Sequence, residues 1–124
     1  MDFVGRVDIG SGFSTARLVV LGQAKCVAPS RPTGGLHLSR TVSRLRRGWL
    51  GAFVTTSTFS EAAQAEVIDD EYPILLIDGL SLAQETLALT QSAGLSSVDA
   101  YLDEVTQNYS TAIRSRQPEE ILLD

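Results

Sequence analysis

RLVVLGQAK, residues 17–25, decides the architecture together with FVGRVDI at residues 3–9. Each is rich in Val, Leu or Ile, and a Gly-Ser-Gly turn at 10–12 separates them. The pair therefore reads as a β-hairpin joined by a loop of small residues. Downstream, APSRPTGG (28–35) concentrates Pro, Ser and Gly as a connecting loop. From Leu36 the period becomes helical: Leu38, Val42, Leu45 and Trp49 form one apolar stripe, and Gly48 is a stop signal, which predicts a helix over 36–47.

Further on, LGAFVT (50–55) has strand length. Thr58 and Glu61 have capping-box spacing for a helix over about 60–70, with Thr55, Thr56 and Ser57 read as capping or phosphate-contacting groups. Ile74 to Ile77 is a second buried strand, closed by an Asp78-Gly79 turn. A helix carrying Leu82, Thr86 and Leu89 follows, and Gly94 breaks it. Ser97 then caps a last helix with Val98, Leu102, Val105, Tyr109 and Ile113 at helical spacing. The order β–β–α–β–α–β–α–α is mixed α/β, with an antiparallel hairpin beside parallel strands joined through helices.

The chain has 124 residues, enough for one domain with a core. Its apolar runs are far shorter than the roughly 20 residues of a membrane span. No signal-peptide pattern opens it. A single cysteine, Cys26, excludes an internal disulfide and a multi-thiolate zinc site, and points to a reducing, cytoplasmic setting; on the strand it reads as small and buried. The net charge of −5 is unevenly spread. Residues 1–60 hold eight Lys/Arg against two acids, a balance of +6, and residues 61–124 hold two against thirteen, a balance of −11. A polyanionic partner would meet the first half.

The candidate chemistry lies in Asp8 and Gln23-Ala24-Lys25. Alternation puts Gln23 and Lys25 on one face of their strand, and hairpin pairing is expected to bring Asp8 toward it. Asp8 then offers a carboxylate, Gln23 an amide oxygen and the Ala24 carbonyl a third oxygen, a donor set suited to Mg²⁺. A single carboxylate makes that a weak metal site. Lys25 would serve the attacking water or stabilise developing charge on a phosphate. Alone the triplet is a weak signal, and a solvated strand end with Asp8 capping a turn accounts for it more readily.

Arg40, Arg44 and Arg47 lie roughly 180–240° from Leu38 on the expected helix. They form a basic stripe with His37 near its edge, suited to phosphates or simply solvated. Trp49 reads as core, and EVIDDE (66–71) as an exposed helix end.

Taken together, VGRVDIGSG, RLVVLGQAKC, GWLGAFVTTSTFSEAAQ and PILLIDGLSLAQ resemble the Mrr-like branch of the PD-(D/E)xK nuclease superfamily, in which Q-x-K replaces E-x-K. The similarity is greatest to the cleavage domains of modification-dependent, type IV restriction endonucleases, and covers residues 3 to about 90. It implies a restriction-endonuclease-like core with a mixed central sheet flanked by helices, over residues 1–95, followed by a C-terminal helical extension over 96–124. It also implies Mg²⁺-dependent hydrolysis of double-stranded DNA in a restriction system, with Asp8 and Gln23 as metal ligands and Lys25 as the catalytic lysine.

Two departures stand out. The family core begins with a helix and a strand ahead of its Asp, which this chain lacks. The restriction enzymes also carry a recognition module for which 124 residues leave no room. The chain thus resembles the C-terminal part of a longer enzyme, its recognition domain upstream, or a truncated frame. The other expectation is an inactive nuclease-fold module that binds DNA or forms a homo-oligomer.

Overall fold

The computed structural model describes residues 2–113; of the expected extension over 96–124, the part at 114–124 lies outside them. Two compact units divide after Gly79. The first contains strands β1 (Phe3–Ser11), β2 (Ser14–Lys25), β3 (Leu50–Thr55) and β4 (Ile74–Ile77), with helices α1 (Gly35–Val42) and α2 (Glu61–Asp69). The second contains α3 (Gly79–Ser92) apart from its first residue, and α4 (Val98–Ile113), where Ser97 Oγ accepts from the Ala100 N–H at 3.2 Å.

The sheet has the order β1-β2-β3-β4. β1 runs antiparallel to β2, while β2, β3 and β4 are parallel. The hairpin is longer and its turn tighter than the glycines suggest. Both strands run on to Ser11 and Ser14, leaving only Gly12-Phe13 as the turn, and Gly12 takes φ +63°. A two-residue hairpin turn requires positive φ at its first position, which Gly adopts without a Cβ clash.

Chain connections through α1 and α2 create the parallel half. Leu38 on α1 and Ala63 on α2 are fully buried and share one cluster with Phe53, Phe59 and Ile74, which puts both helices on one sheet face. Phe53 and Phe59 meet edge to face, with centroids 5.9 Å apart and rings at 76°. Burying a side chain the size of Leu38 contributes about 1.5–3 kcal/mol.

Three local expectations are corrected. α1 ends at Val42, five residues before the predicted end, and the chain continues in tight turns: the Arg44 and Leu45 N–H groups reach back three residues, to Thr41 and Val42. Ser43 and Ser39 each turn a side-chain hydroxyl onto a backbone carbonyl three residues earlier, a competition that favours termination. The cap of α2 is Ser60, whose Oγ accepts from Ala63 N–H, not Thr58. Cys26 is exposed, because β2 ends at Lys25 and the chain has left the sheet.

Thr55, Thr56 and Ser57 do not cap a helix; Thr55 and Ser57 are buried, and the hydroxyl of the exposed Thr56 is engaged by backbone. They clasp the loop after β2. Ser57 Oγ is 2.7 Å from the Arg31 carbonyl and 3.1 Å from that of Pro29. Thr56 Oγ1 donates to the Val27 carbonyl at 2.7 Å and accepts from the Val27 N–H at 2.9 Å. Thr55 Oγ1 lies 3.1 Å from Thr33 Oγ1 in a buried pair. Three hydroxyls thus tie the Pro-rich segment to the end of β3, beside the end of β2 that carries Gln23 and Lys25.

Candidate active site

Gln23 and Lys25 alternate with Ala24 along β2 and face α1. Together with the Ala24 segment, His37, Arg40, Thr41, Arg44 and Phe53, they line an open cleft of about 300 Å³. Phe53, paired with Gln23 across β2 and β3, forms its floor on the core side. The N–H of Thr56 donates to the Lys25 carbonyl at 3.2 Å and fixes the strand end.

Asp8 is not part of this cleft. The hairpin register pairs Asp8 with Arg17, six residues from Gln23, or about 20 Å along the strand. Its carboxylate accepts from Arg17 Nε at 2.8 Å, and that hydrogen bond and charge hold it below the usual carboxylate range. Asp8 does lie on the Gln23 face of the sheet, because its rung partner Arg17 is an even number of residues from Gln23. The expectation about proximity fails, because a two-residue turn leaves no slack in the register.

Asp2 stands where Asp8 was expected. It immediately precedes β1, next to the Phe3–Gly22 pair that ends the ladder, and its side chain reaches Gln23. The Asp2 carboxylate Oδ2 accepts from Gln23 Nε2 and from the Ala24 N–H, both at 2.8 Å, and the Asp2 N–H donates to the Gly22 carbonyl at 2.9 Å. Carboxylate, amide and the Ala24 backbone thereby converge at one point.

Lys25 Nζ lies 2.5 Å from His37 Nε2 and 3.2 Å from Nδ1. His37, expected as a phosphate contact, thus meets the lysine first. Burial, then the charges of Lys25 and Arg40, push the His37 ring below its ordinary value.

The predicted stripe of three arginines does not form. Arg40 remains on α1, and Arg44 follows it into the cleft wall on a tight turn. Arg47 is five residues past the helix end and is not a lining residue. Arg46 stacks its guanidinium 5.2 Å above the centre of the half-buried Trp49 ring. Lys25, Arg40 and Arg44 thus put three cations around the cleft, with the Asp2 carboxylate beside it. This balance favours a phosphate-bearing ligand.

Among the described residues no group of three or more His, Cys, Asp or Glu side chains is placed to hold a metal ion. The donors at Asp2, Gln23 and Ala24 are instead one carboxylate, one amide and one backbone carbonyl. All offer oxygen, which fits a hard divalent cation, with few negative charges to bind it. No helix among the described residues is long and apolar enough to cross a membrane.

Two solved structures resemble this one. The MspJI restriction endonuclease in complex with a 27-mer oligonucleotide superposes with a TM-score of 0.83 and 43% identity, covering 99% of this chain and 28% of that one. The DNA modification-dependent restriction endonuclease AspBHI superposes with a TM-score of 0.71 and 31% identity, covering 85% of this chain and 27% of that one. This chain therefore spans little more than a quarter of either. No family model and no curated protein matches it.

Proposed function

We propose, from the premise that the chain belongs to the restriction-endonuclease domain family of these two structures, that it is a DNA-cleaving unit hydrolysing phosphodiester bonds with Mg²⁺. It is a Q-x-K variant of the PD-(D/E)xK site, acting on foreign or modified double-stranded DNA. The observation that carries this reading is the pairing of Asp2 with Gln23 and the Ala24 backbone, one residue from Lys25, in a cleft walled by Arg40 and Arg44.

Asp2, the Gln23 amide oxygen and the Ala24 carbonyl would hold the cation, which when bound polarises a phosphate oxygen and acidifies the attacking water. Gln23 spends its NH₂ on Asp2, so its oxygen is the atom left to face a cation. Lys25 brings a mobile ammonium to the same face, where it orients the attacking water and neutralises charge growing on the phosphoryl oxygens. Arg40 and Arg44 grip the flanking backbone by charge-assisted hydrogen bonds, which fixes the phosphate without reading sequence. A unit accounting for about a quarter of the similar enzymes contributes cleavage in this reading, while recognition of the modified base belongs to other parts of such proteins. Its setting is the cytoplasm, where the DNA is and where Cys26 stays reduced.

The test is cleavage of duplex DNA, modified and unmodified, with and without Mg²⁺, by the parent chain and by Lys25→Ala. Mg²⁺-dependent cutting that Lys25→Ala abolishes supports the reading. Equal cutting by both proteins overturns the assignment. DNA binding with no cleavage at any metal concentration establishes a binding module in place of an enzyme.

A further inference from the structure

One histidine is present in the whole chain, and its ring lies against the lysine of the cleft. We infer that His37 is a positioning residue: its neutral ring accepts a hydrogen bond from Lys25 Nζ at Nε2 and holds the ammonium in the cleft. The role in cleavage rests on the nuclease reading above; the clasp itself does not.

An ammonium has three donors and no acceptor, so a histidine within hydrogen-bond distance of it must accept, and only an unprotonated ring nitrogen can. Both ring nitrogens are within reach of Nζ, Nε2 the nearer at 2.5 Å and Nδ1 at 3.2 Å, and acceptance at the nearer one requires the ring proton on Nδ1. The surroundings of the ring favour its neutral form: burial first, then the positive charges of Lys25 on β2 and of Arg40 on the same helix, oppose its protonation. Backbone geometry fixes the ring's place, since His37 sits in the first turn of α1 and its carbonyl accepts from Thr41 Oγ1 at 3.3 Å. Leu38, the next residue, is fully buried and pins that turn to the sheet.

A neutral acceptor has a consequence that a carboxylate would not. Glu or Asp at this place would restrain Lys25 but cancel its charge. His37 restrains it and leaves the positive charge available to a phosphate. A lysine has four rotatable side-chain bonds and loses much rotamer freedom when placed, so a fixed acceptor supplies part of that ordering before DNA arrives.

The experiment has two arms on the full chain. In the first, ¹⁵N NMR of the single histidine in the metal-free, DNA-free protein reads the protonation of each ring nitrogen. The expected spectrum shows a neutral ring protonated at Nδ1, and Lys25→Ala shifts the proton toward Nε2. Ring resonances unmoved by Lys25→Ala overturn the inference.

In the second arm, DNA cleavage is followed in His37→Phe and His37→Gln. His37→Phe, which keeps a ring without an acceptor, lowers kcat by about tenfold or more with little change in KM. His37→Gln, which returns an acceptor oxygen near the Nε2 position, recovers most of that loss. Full activity in His37→Phe, or no recovery in His37→Gln, overturns the positioning role. A parent chain that cuts no DNA sinks the nuclease reading, and the clasp is then decided by the NMR arm.

Discussion

Asp2 and Gln23 meet through their side chains just beyond the last rung of the β1–β2 hairpin, with Gln23 Nε2 donating to Asp2 Oδ2 at 2.8 Å. Two residues 21 positions apart are adjacent because the turn between them has only two residues. In an antiparallel pair with a fixed turn, every rung has the same sum of residue numbers. Phe3 with Gly22 and Asp8 with Arg17 both sum to 25, and the same sum carried one step past the last rung brings Asp2 to Gln23. The catalytic reading of the whole cleft hangs on that register.

The register separates two carboxylates experimentally. Asp2→Ala is expected to abolish Mg²⁺-dependent cleavage, because it removes the carboxylate held beside Gln23. Asp8→Ala is expected to cut at the parent rate and unfold at nearly the parent temperature, because its partner Arg17 is exposed and such pairs contribute little. Cleavage rates and thermal melts of the two variants check this directly. Loss of activity in Asp8→Ala with retention in Asp2→Ala would reverse the assignment.

Much of the fold was legible in the residues because its signals are local. Val- and Leu-rich runs, the helical period around Leu38, and the Ser97 cap specify elements over a few positions each, and all these elements are present. Misreadings arose where a tertiary or competing local effect prevailed. Three arginines at helical spacing form a stripe only if the helix continues, and Ser39 and Ser43 turn their hydroxyls onto its carbonyls where it stops. Asp2 was missed although the constant-sum rule reaches it. A Gly-Ser-Gly reading centres the turn too loosely, and the first residues of a chain attract little weight. Clasping by Thr55, Thr56 and Ser57 had no local signal, since their partners lie 22 or more residues away.

Gly22 supports Asp2 from beneath. A Cβ built there would collide with the Phe3 ring, the residue next to Asp2. Gly22→Ala is therefore expected to destabilise the chain by about 1–3 kcal/mol, as overpacking does, and to reduce cleavage by displacing the end of β1. Adding Phe3→Ala makes room for the methyl, so the double variant should melt above Gly22→Ala alone. Chemical denaturation of the four proteins in this cycle gives the answer; a double variant no more stable than Gly22→Ala would place the strain elsewhere.

The Ser57 hydroxyl is expected to stabilise the loop after β2 locally. Ser57→Ala removes the donor shared by the Pro29 and Arg31 carbonyls and should cost about 1 kcal/mol. Amide exchange over residues 26–34 should accelerate more than exchange in β3. Uniform acceleration across the sheet would show instead that the hydroxyl supports the core.

His37 predicts a pH dependence of stability with a definite sign. Its folded value lies below the 6.5 of a free ring, through burial first and then Lys25 and Arg40. A group depressed on folding contributes stability that is present above the unfolded value. That contribution is lost as pH falls from about 6.5 through the folded value, because the unfolded chain takes up the proton first. Denaturation midpoints between about pH 7.5 and about pH 5.5 should fall more for the parent than for His37→Gln. Parallel curves would mean that the ring titrates alike in both states.

Arg40 and Arg44 line the cleft and Arg47 does not, so the three arginines should separate in their response to salt. Each phosphate neutralised on duplex DNA contributes about −0.9 to the slope of log K against log salt. Arg40→Gln with Arg44→Gln should then weaken binding and flatten the slope by about two units if both grip phosphates. Arg47→Gln alone should leave the slope nearly unchanged. Binding should stay modest throughout, because the acidic half of the sequence repels DNA approaching from its side. Fluorescence anisotropy of a labelled duplex over a salt series, in the absence of Mg²⁺ so that no cutting intervenes, supplies the slopes. A double variant with the parent's slope would remove the arginine walls from the DNA path. A slope flattened by Arg47→Gln as much as by Arg40→Gln would extend that path past α1, along the turns that replace the predicted helix end.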